Sequence, residues 1–413
     1  MLERFSQLSS EIKQYFIITG NYWAFTLTDG ALRMLVVLHF HTLGYSPLDI
    51  ALLFLFYEIF GVITNLTGGW LGAHLGLNKT MNIGLALQVV ALSMLLVPDD
   101  WLTVAWVMAA QALSGIAKDL NKMSAKSAIK LLVPSDSQSV SSSEQTLYKW
   151  VAVLTGSKNA LKGAGFFLGG FLLMTLGFTV AIFTMAIALA LVWLLSMFLL
   201  KKDLGKAKNK PKFRDIFSKS RAINYLSAAR LFLFGARDVW FVVALPVFLA
   251  SQFSWDHWSV GAFLAIWVIG YGAVQTQAPK ITNRNGNQPP NGHHAFVWAI
   301  LLLFTPVLIA LALTFELNPT LALLGGLMIF GALFAINSSL HSYLIVSYAR
   351  NDGVSLDVGF YYMANAMGRL IGTLLSGWLF QAYGLITCLW VSALFVGFAA
   401  LLSIALPNTR EAI

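Results

Sequence analysis

The chain has 413 residues, of which 58% are hydrophobic and 11% charged, with a formal net charge of +9. A soluble domain carries about 25% charged residues, so too little charge is present here to coat a water-facing surface. The single cysteine, Cys388, excludes an intramolecular disulfide framework. The positive charges sit in short connectors and inside apolar blocks, with no basic domain interleaved with aromatics, which excludes a nucleic-acid partner.

In chain order, Met1 to Gln14 carries Glu3, Arg4, Glu11 and Lys13 and no small-residue cleavage site. It reads as a cytoplasmic lead-in and not as a cleaved signal. Apolar blocks then run at about 15–40, 47–73, 80–98, 101–123, 148–175, 177–200, 223–250, 258–281, 293–314, 320–348, 356–382 and 385–407. Each approaches the length that a helix needs to cross about 30 Å of hydrocarbon. Lipid offers no partner for open strand edges, so the spans are helices. Trp101, Trp150, Trp255 and Trp258 flank the blocks, as interfacial residues do. The predicted fold is all-α and integral to the membrane, with about twelve spans.

Orientation follows from Lys and Arg in the short loops. With the N-terminus inside, the outer connectors are His41–Asp49, Pro98–Asp100, Thr175–Phe178, Ser251–His257, Phe315–Thr320 and Ala382–Leu385. They contain no Lys or Arg and hold Asp49, Asp99, Asp100, Asp256 and Glu316. The inner connectors hold Lys79, Lys130, Lys149, Lys280, Arg284 and Arg350. Both termini are therefore expected in the cytoplasm, and the protein in the cytoplasmic (inner) membrane.

The longest basic run, Lys201 to Arg221, divides the chain into an N-terminal half at 1–200 and a C-terminal half at 222–413, with 201–221 as a cytoplasmic linker. The halves share a pattern. Lys162-x-x-Gly165-x-x-x-x-Gly170 precedes Gly177, and Arg369-x-x-Gly372-x-x-x-x-Gly377 precedes Gly384 at identical spacings. Close helix packing by glycine is one explanation, and duplication accounts better for the matching cation. Two six-span halves joined by a basic loop resemble the major facilitator architecture, which implies a substrate site near the midplane between the halves. That superfamily's loop between spans two and three corresponds to Gly69 through Gly76 to Lys79. Ala73 stands where the family carries an acid, so the gating contact of that acid is in doubt.

A charged side chain at mid-membrane costs at least about 2.5–3.5 kcal/mol and needs a partner, a wet cavity or a ligand. Asp29 and Arg33 stack one turn apart in span one, either as a structural pair or with Arg33 meeting an anion and Asp29 tuning it or carrying a proton. Glu58 has no partner nearby in sequence; it either pairs with a cation elsewhere or is protonated, a second candidate for proton coupling. Lys118, Lys122, Lys126 and Lys130 follow at four-residue steps along span four, forming a slowly drifting stripe. Lys126 and Lys130 are expected to snorkel at the cytoplasmic mouth, and Lys118 and Lys122 to line a cavity. Asp119 adjoins Lys118 in sequence but points about 100° away. Lys158 and Lys162 share a face of span five at mid-depth, beside Asn159. Span seven adds Arg230, Arg237 and Asp238, and span eleven adds Asn365 and Arg369, the latter without an acid nearby in sequence. Asn337 and His341 lie in a polar run of span ten, which is either a wet wall or a helix–helix contact.

The deep set is Arg33, Lys118, Lys122, Lys158, Lys162, Arg237 and Arg369 against Asp29, Glu58, Asp119 and Asp238, an excess of three cations. Such a cavity suits a small polyanion. Candidate substrate-binding residues are those seven cations with Asn337 and His341. No nucleotide-binding loop, metal cluster or nucleophile constellation stands out, so neither a cofactor nor an enzymatic activity is expected.

Three segments carry a closer resemblance: Asn21 to His41, Asp119 to Lys130 and Leu154 to Phe167. With them, essentially the whole chain resembles the organoarsenical exporters of bacterial arsenic-resistance operons. The resemblance implies export of 1-arseno-3-phosphoglycerate, with glyceraldehyde-3-phosphate dehydrogenase as the functional partner that supplies it, and hence arsenate resistance. The polar stretch Ser135–Glu144 is a departure expected to matter little. A monomer is expected. In this reading the first-half cations clamp one end of the anion, Arg237 and Arg369 clamp the other, and alternating access carries it out. A sugar-phosphate or glycerol-phosphate antiporter satisfies the same charge logic. A scaffold or sensor without flux would not need the mid-span cations.

Overall fold

The computed structural model describes residues 9–44, 53, 55–133, 140–200, 204–208, 211–217, 220–255, 257–282 and 289–407. Asp49, Asp256, Arg284 and residues 135–139 of the expected inner loop lie outside them.

The described chain is helical along the expected blocks. Helices α1 (Ser10–Thr42), α2 (Leu55–Leu75), α3 (Leu77–Met94) and α4 (Val104–Leu132) correspond to the first four. Helix α5 (Val140–Leu199) carries the fifth and sixth, divided at Gly177, whose φ of 74° breaks the helical path. Helices α6 (Arg221–Phe241) and α7 (Ala244–Gln252) share the seventh block. Helices α8 (His257–Thr282), α9 (Gly292–Thr314) and α10 (Gly326–Tyr348) follow. Helix α11 (Val354–Ile404) carries the last two blocks, divided at Gly384 with φ 80°. Both dividing residues are the terminal glycines of the repeated pattern, at a backbone conformation that residues with a Cβ rarely adopt. The all-α, twelve-block reading is borne out.

The chain forms two compact units. The first comprises 1–150, 157–217 and 349–360, and the second 151–156, 218–348 and 361–413.

In the first unit α1 crosses α5 at Gly30 and Gly165. A Cβ on Gly165 would stand 2.7 Å from the Leu27 carbonyl oxygen, and one on Gly30 would stand 2.7 Å from that of Lys162. In the part of α5 beyond Gly177, Ser196 Oγ accepts from Asn21 Nδ2 of α1 at 2.8 Å. The described part of the basic linker is tied to α2 and α3. Leu77 N donates to Leu204 O at 2.8 Å, Ala207 N to Ala73 O at 2.9 Å, and Trp70 Nε1 to Pro211 O at 3.0 Å. The head of α11 belongs to this unit as well. Ser355 Oγ donates to Gly69 O at 2.7 Å, and a Cβ on Gly359 would stand 2.7 Å from Asn65 O. Ala73, where an acid was expected on family grounds, is buried with its carbonyl bound by the linker.

The second unit encloses an aromatic core of Trp240, Phe330, Phe334 and Trp267, with Leu245, Leu249 and Leu389 around it. Here α6 meets α11 at Gly235 and Gly372. A Cβ on Gly372 would stand 2.7 Å from Gly235 O and 3.0 Å from Asp238 Cβ. Gly165 and Gly372 hold the same place in the repeated pattern, and each admits the backbone of another helix of its own unit. Gly170 and Gly377 meet no such contact, so the packing explanation covers only the first glycine of each pattern.

Candidate functional site

Each unit brings part of the deep charge set together. In the first, the close crossing of α1 and α5 fixes the axial position of Asp29 and Arg33, and the hub is Tyr57 of α2, which is 2% exposed. Its hydroxyl lies 2.8 and 3.1 Å from the two oxygens of Asp29 and donates to that carboxylate. Arg33 Nη2 pairs with Glu58 Oε1 at 3.4 Å. The Arg33 guanidinium carbon is 4.8 Å from the Tyr57 ring centroid, and Lys118 Nζ of α4 is 3.7 Å from it. A cation over a ring face is attracted by the ring quadrupole, but the ring offers no oxygen acceptor. Among the described residues no acid pairs with Lys118.

The rest of the α4 stripe separates by role. Four-residue steps advance the helix by about 40° beyond a full turn each time, so the four lysines cannot share one environment. Lys122 Nζ pairs with Asp119 Oδ1 at 2.6 Å, so this cavity candidate has an acid on its own helix. Lys126 is 3% exposed. It is enclosed by packing and does not reach a solvent-facing mouth. Lys130 Nζ donates to the Ala349 carbonyl, directly after the end of α10. In α5, Lys158 Nζ donates to Asn159 Oδ1 at 3.2 Å, and Lys158 and Lys162 are both half-buried.

In the second unit the approach of α6 to α11 at Gly235 and Gly372 brings Asp238 to Arg369. Arg369 Nε donates to Asp238 Oδ2 at 3.1 Å, and Arg237 pairs with Asp238 Oδ1 at 2.5 Å. Arg369, read from the sequence as lacking an acid, has one from another helix. Asn337 Nδ2 donates to Trp298 O at 2.8 Å and Leu333 O at 3.0 Å, which is the helix–helix contact of the two readings offered for the span-ten run. His341 is 1% exposed, and its Nδ1 is buried without a hydrogen-bond partner.

Two residues escaped the sequence reading. Tyr57 carries no signal beyond its place beside Glu58. Arg230 was noted in span seven but left out of the deep set, since it lies only about 10 Å from the start of its block at 1.5 Å per residue. The structure buries it to 3% exposure. Its Nε donates to Asn365 Oδ1 at 2.8 Å and its Nη1 to Ser338 O at 3.2 Å. Its guanidinium carbon lies 3.9 Å from the Phe234 ring centroid and 5.2 Å from that of Tyr361. Among the described residues no acid pairs with it. The four deep acids are thus engaged, Glu58 by Arg33, Asp119 by Lys122, Asp238 by Arg237 and Arg369, and Asp29 by a tyrosine hydroxyl. Among the described residues, Lys118 in the first unit and Arg230 in the second have no acid within pairing distance.

Solved structures share this fold. The human organic anion transporter MFSD10 (TETRAN) superposes with a TM-score of 0.75 at 16% identity, over 96% of this chain and 100% of that one. A bacterial homologue of the iron transporter ferroportin, in an outward-facing state, gives 0.72 at 15% identity over 94% of this chain and 98% of that one. The proton:xylose symporter XylE gives 0.69 at 13% identity over 95% of each chain. At these identities the likeness concerns the fold. No curated protein sequence matches the chain. The family model described as Major Facilitator Superfamily matches residues 15–354. With twelve apolar helical blocks, that match and that fold, the chain is a multi-pass membrane transporter and belongs to the Major Facilitator Superfamily.

Proposed function

We propose that this transporter exports a small organic polyanion, and that the polyanion is 1-arseno-3-phosphoglycerate. The observation that carries the reading is Lys118. Its ammonium is held 3.7 Å over the Tyr57 ring in the middle of a span and has no acid partner among the described residues. An intramembrane cation in that state is suited to meet an anionic ligand. Lys158, Lys162 and Arg33 supply further positive charge in the same unit, with Asp29, Glu58 and Asp119 setting its local excess. The arsenical identity is supported by the resemblance of Asn21 to His41, Asp119 to Lys130 and Leu154 to Phe167 to that exporter family.

The direction of transport follows from the charge of the cargo. With the cell interior negative, each negative charge moved outward gains about 2.3 kcal/mol per 100 mV. A cargo of about three negative charges needs no coupling ion on that account. The reading places the protein in the bacterial inner membrane with both termini in the cytoplasm. Glyceraldehyde-3-phosphate dehydrogenase is the functional partner, since it forms the acyl arsenate when arsenate replaces phosphate.

The test is arsenic accumulation in arsenate-treated cells of an arsenate-sensitive background, expressing this protein with and without the matching dehydrogenase. Lower accumulation only when both are present supports the arsenical. Unchanged accumulation with verified membrane expression overturns it and leaves exchange of sugar phosphate or glycerol phosphate as the reading to test.

A further inference from the structure

Three helices of the second unit converge on Arg230, and their side chains arrive at one-turn spacings. Helix α6 brings Arg230 and Phe234, α10 brings Ser338, His341 and Ser342, and α11 brings Tyr361 and Asn365. Residues three and four apart share a helix face, so each helix turns one face toward the guanidinium. The closest backbone approach, at Gly368 against the Leu231 carbonyl, holds α11 against α6 at the level of the site.

The polar inventory of this site is incomplete. Arginine has five N–H donors. Two are satisfied, by the Asn365 side chain and the Ser338 carbonyl, both neutral. Buried around them, Nδ1 of His341 has no hydrogen-bond partner, and the hydroxyls of Ser342 and Tyr361 face each other without a closely made hydrogen bond. Buried polar groups are paired as a rule, and each exception calls for a physical account. Here the exceptions gather beside a buried cation that has no acid. The neighbouring Arg237–Asp238–Arg369 cluster is different, because its carboxylate is already shared by two arginines.

We propose that Arg230, Ser342, Tyr361 and His341 form a binding site for one oxyanion group of a hydroxylated organic anion. The guanidinium takes the oxyanion oxygens, for which its planar fork of donors is suited. Ser342, Tyr361 and His341 take the hydroxyl or carbonyl oxygen next to that group. The aromatic faces of Phe234 and Tyr361 hold the guanidinium plane in place. The site thereby favours an organic oxyanion, whose neighbouring oxygen adds contacts with Ser342, Tyr361 and His341 to those that the oxyanion group makes with Arg230. This proposal rests on the reading of the protein as an organic-polyanion transporter and names the residues of the second unit that recognise the cargo.

The experiment uses the full chain in lipid nanodiscs, with 3-phosphoglycerate and inorganic phosphate as probes, and measures binding by calorimetry. Wild-type protein is expected to bind 3-phosphoglycerate more tightly than phosphate. Arg230→Gln is expected to weaken 3-phosphoglycerate about 10- to 100-fold, with Arg230→Lys intermediate. Ser342→Ala and Tyr361→Phe keep the charge. They are expected to weaken 3-phosphoglycerate about 3- to 10-fold while leaving phosphate unchanged. Should Arg230→Gln fail to fold, as judged by its melting without ligand, these two variants carry the test. If wild type binds 3-phosphoglycerate and the folded variants bind it equally well, the Arg230 site is overturned while the transport reading stands. If wild type binds no organic phosphate, both fall.

Discussion

Arg369 Nε donates to Asp238 Oδ2 across 3.1 Å and joins α11 to α6 within the second unit. The Asp238 side chain has no solvent exposure, and Arg237 holds its other oxygen at 2.5 Å. The carboxylate therefore neutralises two cations at once. Asp238→Asn leaves both arginines without it, and breaking a buried pair in this way costs about 3–5 kcal/mol. A clear fall in the melting temperature of the detergent-solubilised protein is expected. The double variant Asp238→Asn/Arg369→Gln should lose less than the sum of the two single changes, since both sit in one network. An unchanged melting temperature in Asp238→Asn would show that the cluster is not structural.

Lys118 and Lys122 lie one turn apart and should respond in opposite ways. Lys122→Gln strands the buried Asp119 carboxylate and should lower stability by about 1–3 kcal/mol. Lys118→Gln removes a cation that has only a ring beneath it. It should leave the melting temperature within a few degrees of wild type and abolish most export. Melting curves alongside arsenic accumulation separate the two, and a Lys118→Gln protein that exports normally would remove the main support for the proposed function.

The glycines of the repeated pattern offer a matched pair. Gly372→Ala places a Cβ 2.7 Å from the Gly235 carbonyl oxygen, and overpacking of this kind costs about 1–3 kcal/mol. Gly377 has open space around it, so Gly377→Ala should be neutral or slightly stabilising, given the higher helix propensity of alanine. Thermal melts of the two variants, five residues apart in the same helix, test the assigned crossing directly.

At the head of α11, Ser355 Oγ donates to Gly69 O at 2.7 Å, and a Cβ on Gly69 would collide with the Ser355 carbonyl. Ser355→Ala loses one buried hydrogen bond, worth about 0.5–1.5 kcal/mol, whereas Gly69→Val must push the two helices apart. Amide exchange at 354–360 should rise modestly in the first variant and strongly in the second. Equal protection in both would show that this contact does not hold the head of α11.

The sequence by itself determined the membrane class, the helical spans and the repeated pattern with a short connector after each copy. Those depend on properties that a segment carries alone. Block length is set by bilayer thickness, and the spacing of the cation and glycines is read directly from the chain. Sequence also picked out Arg33, Lys118, Lys122, Arg237 and Arg369 as charges needing an account, because their cost in lipid does not depend on the fold. Only the tertiary structure decided how each was accounted for. Arg369 found Asp238 through a crossing at Gly372, and Arg33 found Glu58 on the adjacent helix. Lys126 was buried by the packing around α4. Arg230, near the end of its block by sequence distance, was enclosed by Asn365 and Ser338 from two other helices. Ion pairing and burial are properties of neighbours, and in a bundle of spans the neighbours come from distant parts of the chain.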